Sequence, residues 1–208
     1  MYVPAHFAAP TGLLATLLGQ GRLADVITYG PDGLDATPVP LILSPDGGSL
    51  QGHLARNNPQ WRADGAPALV IVRGPDAYVS PVWYEATREH GRVVPTWNYQ
   101  LVHVHGRLVA HDDPGWTGDL VGRLTDLHEA GLDPRWRVAD APSTFIAGQL
   151  RGIVGIEVTI ERVEAKSKMS QNRPAADRLG VMRALGAGSA DQRAVARVMS
   201  DEAEPVVP

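Results

Sequence analysis

The 208-residue chain has no cysteine, which removes disulfides and thiolate metal ligation from its repertoire. It has no excess of basic charge either. Nineteen Lys and Arg face twenty-three Asp and Glu, giving a net charge of −4. A chain built to grip phosphate backbones usually carries a basic surface, because counterion release drives that binding. No run reaches the ~18 apolar residues that span a bilayer. The opening Met1-Tyr2-Val3-Pro4-Ala5-His6 has neither the basic start nor the apolar core of an export signal. These absences point to a cytoplasmic protein with no membrane partner. No Walker pattern and no Gly-x-Gly-x-x-Gly after a strand is present, so a nucleotide bound here must be held by side chains and isolated amides. Aromatics are scarce at 6%, which makes any clustering of them informative.

What is present reads as ordinary globular composition, 44% hydrophobic and 20% charged, enough for one large domain. Thr11 is a candidate cap for a short helix through Leu13, Leu14, Leu17 and Leu18, ended by Gly19 and Gly21. Short apolar runs then follow, broken by Gly, Pro and Asp: 26–29, 37–43, 49–53 and 68–72 are expected strands. Pro38 and Pro40 share one face of the second and cannot donate to a ladder, so it is expected at a sheet edge. The alternation from Trp97 to Ala110 predicts a long strand, with Val102, Val104 and Leu108 opposite His103, His105 and Arg107. Ile153 to Val163 is expected to form another. Between them Asp113 and Pro114 open a helix with Trp116, Leu120, Val121, Leu124 and Leu127 on one stripe. After Asn172 the texture is helical, with Pro174 starting one helix on Leu179, Met182 and Leu185. Ser189 and Gln192 form a capping box for another, and the last residues are expected to fray. Without a βαβ rhythm the sheet is expected to be antiparallel and barrel-like. The domain reading is 1–172, followed by a helical C-terminal extension over 173–208.

Four segments carry chemistry. His53 to Trp61 is rich in hydrogen-bonding groups directly after a strand; Arg56 and nearby amides suit a phosphate, and a capped turn is an equal alternative. Tyr78 to Tyr84 and Val94 to Tyr99 concentrate aromatics with Ser80 and Asn98, a composition that suits a flat conjugated ligand. Lys166, Lys168, Arg173, Arg178 and Arg183 form the one notable basic cluster. His103 and His105 point the same way on a strand, with His53 a formal third ligand. No carboxylate stands at ligand spacing nearby, so no metal is expected and the pair reads as a dimer-surface feature.

At these same segments the chain resembles the PaiB-type family of FMN-binding negative transcriptional regulators. The matching stretches are Met1 to Phe7, His53 to Trp61, Tyr78 to Tyr84, Val94 to Tyr99 with Val102-His103, and Lys166 to Asn172, in the family's order. The resemblance implies an α+β, mostly β fold: a six-stranded antiparallel split β-barrel of the FMN-binding type, with peripheral helices and a homodimer that binds FMN at its interface. It further implies a flavin neighbourhood of His53, Ala55, Arg56, Asn58, Ser80, Trp83, Trp97 and Asn98, extended by Lys166, Lys168, Gln171 and Asn172. Ala165 and Ser167 depart from the family's usual small glycine and bulkier residue, and the 85–93 loop is longer than its compact form. The functions implied are repression of transcription, with DNA a possible partner, or alternatively flavin-dependent oxidoreduction. No residue stands out as a paired general acid or base, and no helix-turn-helix is evident.

Overall fold

The computed structural model describes residues 1–30 and 33–202; the expected frayed end, 203–208, lies outside them. Eight strands form one sheet: β1 (Leu23–Gly30), β2 (Gly33–Pro40), β3 (Ile42–Leu43), β4 (Ser49–Ala55), β5 (Pro67–Val79), β6 (Thr96–His111), β7 (Ile153–Thr159) and β8 (Arg162–Lys168). Their order is β2-β1-β5-β6-β7-β4-β3, with β8 paired to β6. The mostly β, antiparallel split-barrel class is as expected, with eight strands rather than six. Six α-helices accompany the sheet among the described residues: α1 (Leu13–Gly19), α2 (Glu85–Glu89), α3 (Pro114–Glu129), α4 (Ser143–Leu150), α5 (Ala175–Gly186) and α6 (Ala190–Asp201). None is long and apolar enough to cross a membrane.

The chain divides into two compact units, passing from one to the other within β5, β6 and β8. One unit comprises 12–73 and 102–164. Here β1 and β2 form a hairpin in which Val26 opposes Thr37, and Ala68–Val72 of β5 line the other side of β1. The proline-bearing strand β2 is at the end of the order, because Pro38 and Pro40 have no N–H for a further neighbour. The sheet curls until the end of β2 lies across β4. At Gly52 the Pro40 carbonyl and the Val39 and Leu41 side chains come so close that an added Cβ would sit 2.6 Å from Leu41 Cδ2. Helix α3 covers β7, its Asp113 cap accepting from the Gly115 and Trp116 amides as its sequence predicts. Val26, Val70, Val104, Leu108, Leu120 and Ile156 are buried in this unit.

The other unit comprises 1–11, 74–101 and 165–202 of the described chain. Its core gathers Ala77, Val79, Tyr84, Met169, Val181, Leu185, Val195 and Met199, so α5 and α6 pack against the Ala77–Val79 end of β5. The Ser189–Gln192 capping box that opens α6 is present in both directions.

Three local expectations are corrected. Gly12, not Thr11, caps α1, without a side-chain bond. The single strand expected over 153–163 is two, because the chain turns at Ile160–Glu161 and returns as β8. In α5 the buried positions are Asp177, Val181 and Leu185, while Leu179 faces solvent. Its apolar stripe is interrupted by Asp177, whose carboxylate accepts from the Ala86 amide at the start of α2.

Candidate functional site

Four of the sequence-predicted residues belong to the unit built on 12–73 and 102–164. His53 lies within β4 opposite Gly155. Its Nδ1 is buried without a hydrogen-bond partner, and burial pushes the imidazole pKa below its ordinary value. Ala55 ends β4 and is exposed. Arg56 is held firmly: Nε donates to the Arg151 carbonyl at 2.7 Å and Nη2 to the Ile153 carbonyl at 3.2 Å. Two further bonds at 2.9 and 2.6 Å make a bidentate pair with Asp112. Asn58 caps the 3-10 turn Pro59–Arg62 by accepting from the Gln60 amide, and its Nδ2 donates to Thr37 Oγ1 at 2.9 Å. This segment is therefore a braced turn, with buried unsatisfied atoms at His53 Nδ1 and Gln60 Oε1.

The other eight belong to the second unit. Ser80 precedes the 3-10 turn Pro81–Trp83 without capping it, and Trp83 packs against the core. Trp97 is 52% exposed and meets Tyr78, itself 44% exposed, edge to face at 6.1 Å. The alternation of β6 explains the pair of neighbours: Trp97 faces out and Asn98 is fully buried. Asn98 accepts from Ser170 Oγ at 3.0 Å and donates to Met199 Sδ. It is a structural hub rather than an open ligand contact.

The Lys166–Asn172 motif straddles the end of β8 and the turn after it. Lys166 Nζ lies 5.5 Å from the Tyr99 ring centre and 5.8 Å from that of Phe7, and donates to the Tyr2 carbonyl. Lys168 Nζ lies 5.9 Å from the Tyr99 ring, donates to the Trp97 carbonyl at 2.8 Å and bonds Thr96 Oγ1. Arg173 sits over the Tyr84 ring at 4.8 Å. Among the described residues none of these three cations pairs with a carboxylate. Burial, then the charges of Lys166 and Arg173, push the Lys168 pKa down. An electropositive corner that already disfavours its own charge is relieved by an anion.

Between the lysines, Ser167 is fully buried and donates to Glu202, which also receives Gln100 Nε2 at 3.2 Å and Gln171 Nε2 at 3.0 Å. Gln171 additionally accepts from the Met169 amide at 2.7 Å. The Ser167 hydroxyl is thus used in full, donating to Glu202 and accepting from Gln100 Nε2 at 3.2 Å. Asn172 is exposed. Sequence reasoning named Tyr99 and Phe7 only as members of matching stretches, not as site residues, and missed Glu202. Tyr99 was legible from its place on the Trp97 face of β6, whereas Glu202 stands thirty residues beyond the motif it anchors.

The residues of this second unit fit a phosphorylated aromatic cofactor: exposed ring faces at Trp97 and Tyr78 beside cations at Lys166, Lys168 and Arg173 that pair with no carboxylate among the described residues.

Comparison with known proteins agrees. The chain is 32% identical over 190 residues to the protease synthase and sporulation protein PAI 2 of Bacillus subtilis, covering 89% of each chain. Its fold is similar to that of an FAD and heme binding protein from Mycobacterium smegmatis, with a TM-score of 0.58, 21% identity and coverage of 83% of this chain and 78% of that one. It is also similar to the conserved hypothetical protein Rv2991 of Mycobacterium tuberculosis, with a TM-score of 0.60, 12% identity and coverage of 84% and 94%. Residues 1–162 match the family described as "Putative FMN-binding domain", and the chain belongs to that family, with FMN as its cofactor.

Proposed function

We propose that this chain works as an FMN-binding homodimer and acts as a negative regulator of transcription of the PaiB type. The observation that carries the cofactor site is a cationic trio that pairs with no carboxylate among the described residues, beside exposed aromatics. In this reading Lys166, Lys168 and Arg173 hold the phosphate, with charge-assisted bonds worth about 1.5–3 kcal/mol each. Trp97 and Tyr78 lie against the ring system, and Gln171 and Asn172 flank the phosphate corner. Ser80, Trp83 and Asn98 shape and brace the neighbourhood within the same unit; in the other unit His53, Ala55 and Asn58 belong to a turn that Arg56 struts through Asp112. The exposure of Tyr78, Val82, Val94 and Trp97 in one chain supports the dimer, whose second copy would cover them. The 32% identity to PAI 2 and the resemblance to the PaiB-type family support the regulatory role.

The second reading is flavin-dependent oxidoreduction, favoured by the exposure of Trp97 and Tyr78, which leaves a ring stacked there open to a small substrate. FMN supplies one- and two-electron redox chemistry when bound. This chain's residues bind it, orient it and limit its access to water.

The test is FMN titration followed by visible absorbance and fluorescence. Saturable uptake of one FMN per chain is expected. Trp97→Ala should weaken it roughly tenfold, and Lys168→Met should weaken it by about ten- to a hundredfold. Unchanged affinity in both variants overturns this placement. Nicotinamide nucleotide that bleaches the bound flavin supports the oxidoreductase. A promoter fragment retarded in a salt-dependent way supports the regulator.

A further inference from the structure

The β7–β8 turn brings a carboxylate to the histidine pair that the sequence leaves without one. The Glu161 amide donates to the His105 carbonyl at 2.9 Å, which seats the start of β8 along β6. Two residues of alternation later, Glu164 accepts from or pairs with His105, Nε2 to Oε2 at 3.0 Å. One donor atom each from His103, His105 and Glu164 then lies within 4.8 Å of the others, and all three side chains are half-buried. We propose that His103, His105 and Glu164 form a binding site for a divalent first-row transition metal of the Zn(II) class.

Two imidazoles and one carboxylate are the donor set such ions take, and three protein ligands leave a position for water or a small exogenous ligand. Donors around one tetrahedral ion are about 3.4 Å apart when bonds are about 2.0–2.1 Å long, so donor atoms that lie within 4.8 Å of one another must close by up to about 1.4 Å. Their backbones are fixed on neighbouring strands, which limits that adjustment to side-chain torsions. Arg162 Nη1 holds the other carboxylate oxygen, Oε1, at 2.5 Å. This orients Glu164 in the way outer groups orient metal ligands. Its charge also opposes a dication, so the affinity belongs in the micromolar range rather than that of a closed structural zinc site.

The experiment titrates Co(II), then Zn(II), into the full chain after chelator treatment, reading d–d absorption and heat. One Co(II) per chain is expected, displaced by Zn(II). His103→Ala and Glu164→Gln should each weaken uptake at least tenfold, while His90→Ala, at an exposed histidine, leaves it unchanged. Imidazole nitrogen resonances of His103 and His105 that shift together on Zn(II) addition to the unaltered protein give an independent reading should a variant fail to fold. Absence of saturable uptake, or uptake equal in His103→Ala and Glu164→Gln, overturns the site.

Discussion

Gly106 sits where the Thr159 carbonyl crosses β6: a Cβ built there would stand 1.6 Å from that oxygen. No rotamer relieves a clash with backbone, so the strand or the β7–β8 turn must move. Gly106→Ala should therefore lose about 2–4 kcal/mol in urea unfolding, whereas a loss under about 0.5 kcal/mol would show that the crossing is not this tight. Other residues mattered for reasons the sequence hides. Asn98 and Arg56 looked like ligand contacts because amides and guanidinia commonly are. One is buried against Ser170 and Met199, and the other is spent on Asp112 and two carbonyls. Residue type announces hydrogen-bonding capacity, but partners fifty or a hundred positions away decide where it goes. Trp97 was legible because alternation along a long strand sets which neighbours face outward.

At the scale of elements, the well-marked helices formed as their caps dictate. Asp113 with Pro114, and Ser189 with Gln192, satisfy amides that a helix start otherwise leaves unpaired. Helix α6 is more than an appendage: Val195 and Met199 enter the core with Val181 and Leu185, and Glu202 at its end receives Ser167, Gln100 and Gln171. Ser189→Ala should cost about 1 kcal/mol. Glu202→Ala should cost about 2–3 kcal/mol, because it strands partly buried polar partners. Both are measured by denaturant midpoint, and the Glu202 change should also weaken FMN uptake by loosening the Lys166–Asn172 motif. An unaltered FMN affinity in a destabilised Glu202→Ala protein would separate the motif from the site. The short α2 and α4 and the return strand β8 escaped the sequence reading. Helices of five and eight residues show too few turns for periodicity, and nothing in Ile160–Glu161 marks a reversal in the way Gly or Pro does.

For the whole molecule, protonation is the accessible lever. Burial lowers the pKa of both His53 and His103 from the model-peptide value of 6.5. The unfolded chain then takes up protons first as pH falls below 6.5, so stability declines from there until the folded-state pKa values are reached. The melting temperature should fall between about pH 7 and about pH 5, and His53→Gln should flatten part of that fall. An equal slope in the variant would mean that His53 is not neutral and buried. FMN affinity has the opposite exposure to pH. Lys168 begins with a depressed pKa, and a bound phosphate favours its charged form, so affinity should drop as alkaline pH deprotonates the free protein's Lys168.

Composition, strand alternation, edge prolines and helix caps are local, and they settled the antiparallel β-rich class, the long β6 strand, the edge position of β2 and the starts of α3 and α6. The motifs around His53, Trp97 and Lys166 likewise carried the family and its FMN cofactor without any coordinates. Tertiary structure decided the rest: which polar groups are already satisfied, that Glu202 anchors the lysine motif, and that Glu164 meets His103 and His105. Those outcomes depend on strand pairing between residues far apart in the chain, where a shift of one position turns every side chain to the other face. No pattern within a single segment encodes that choice.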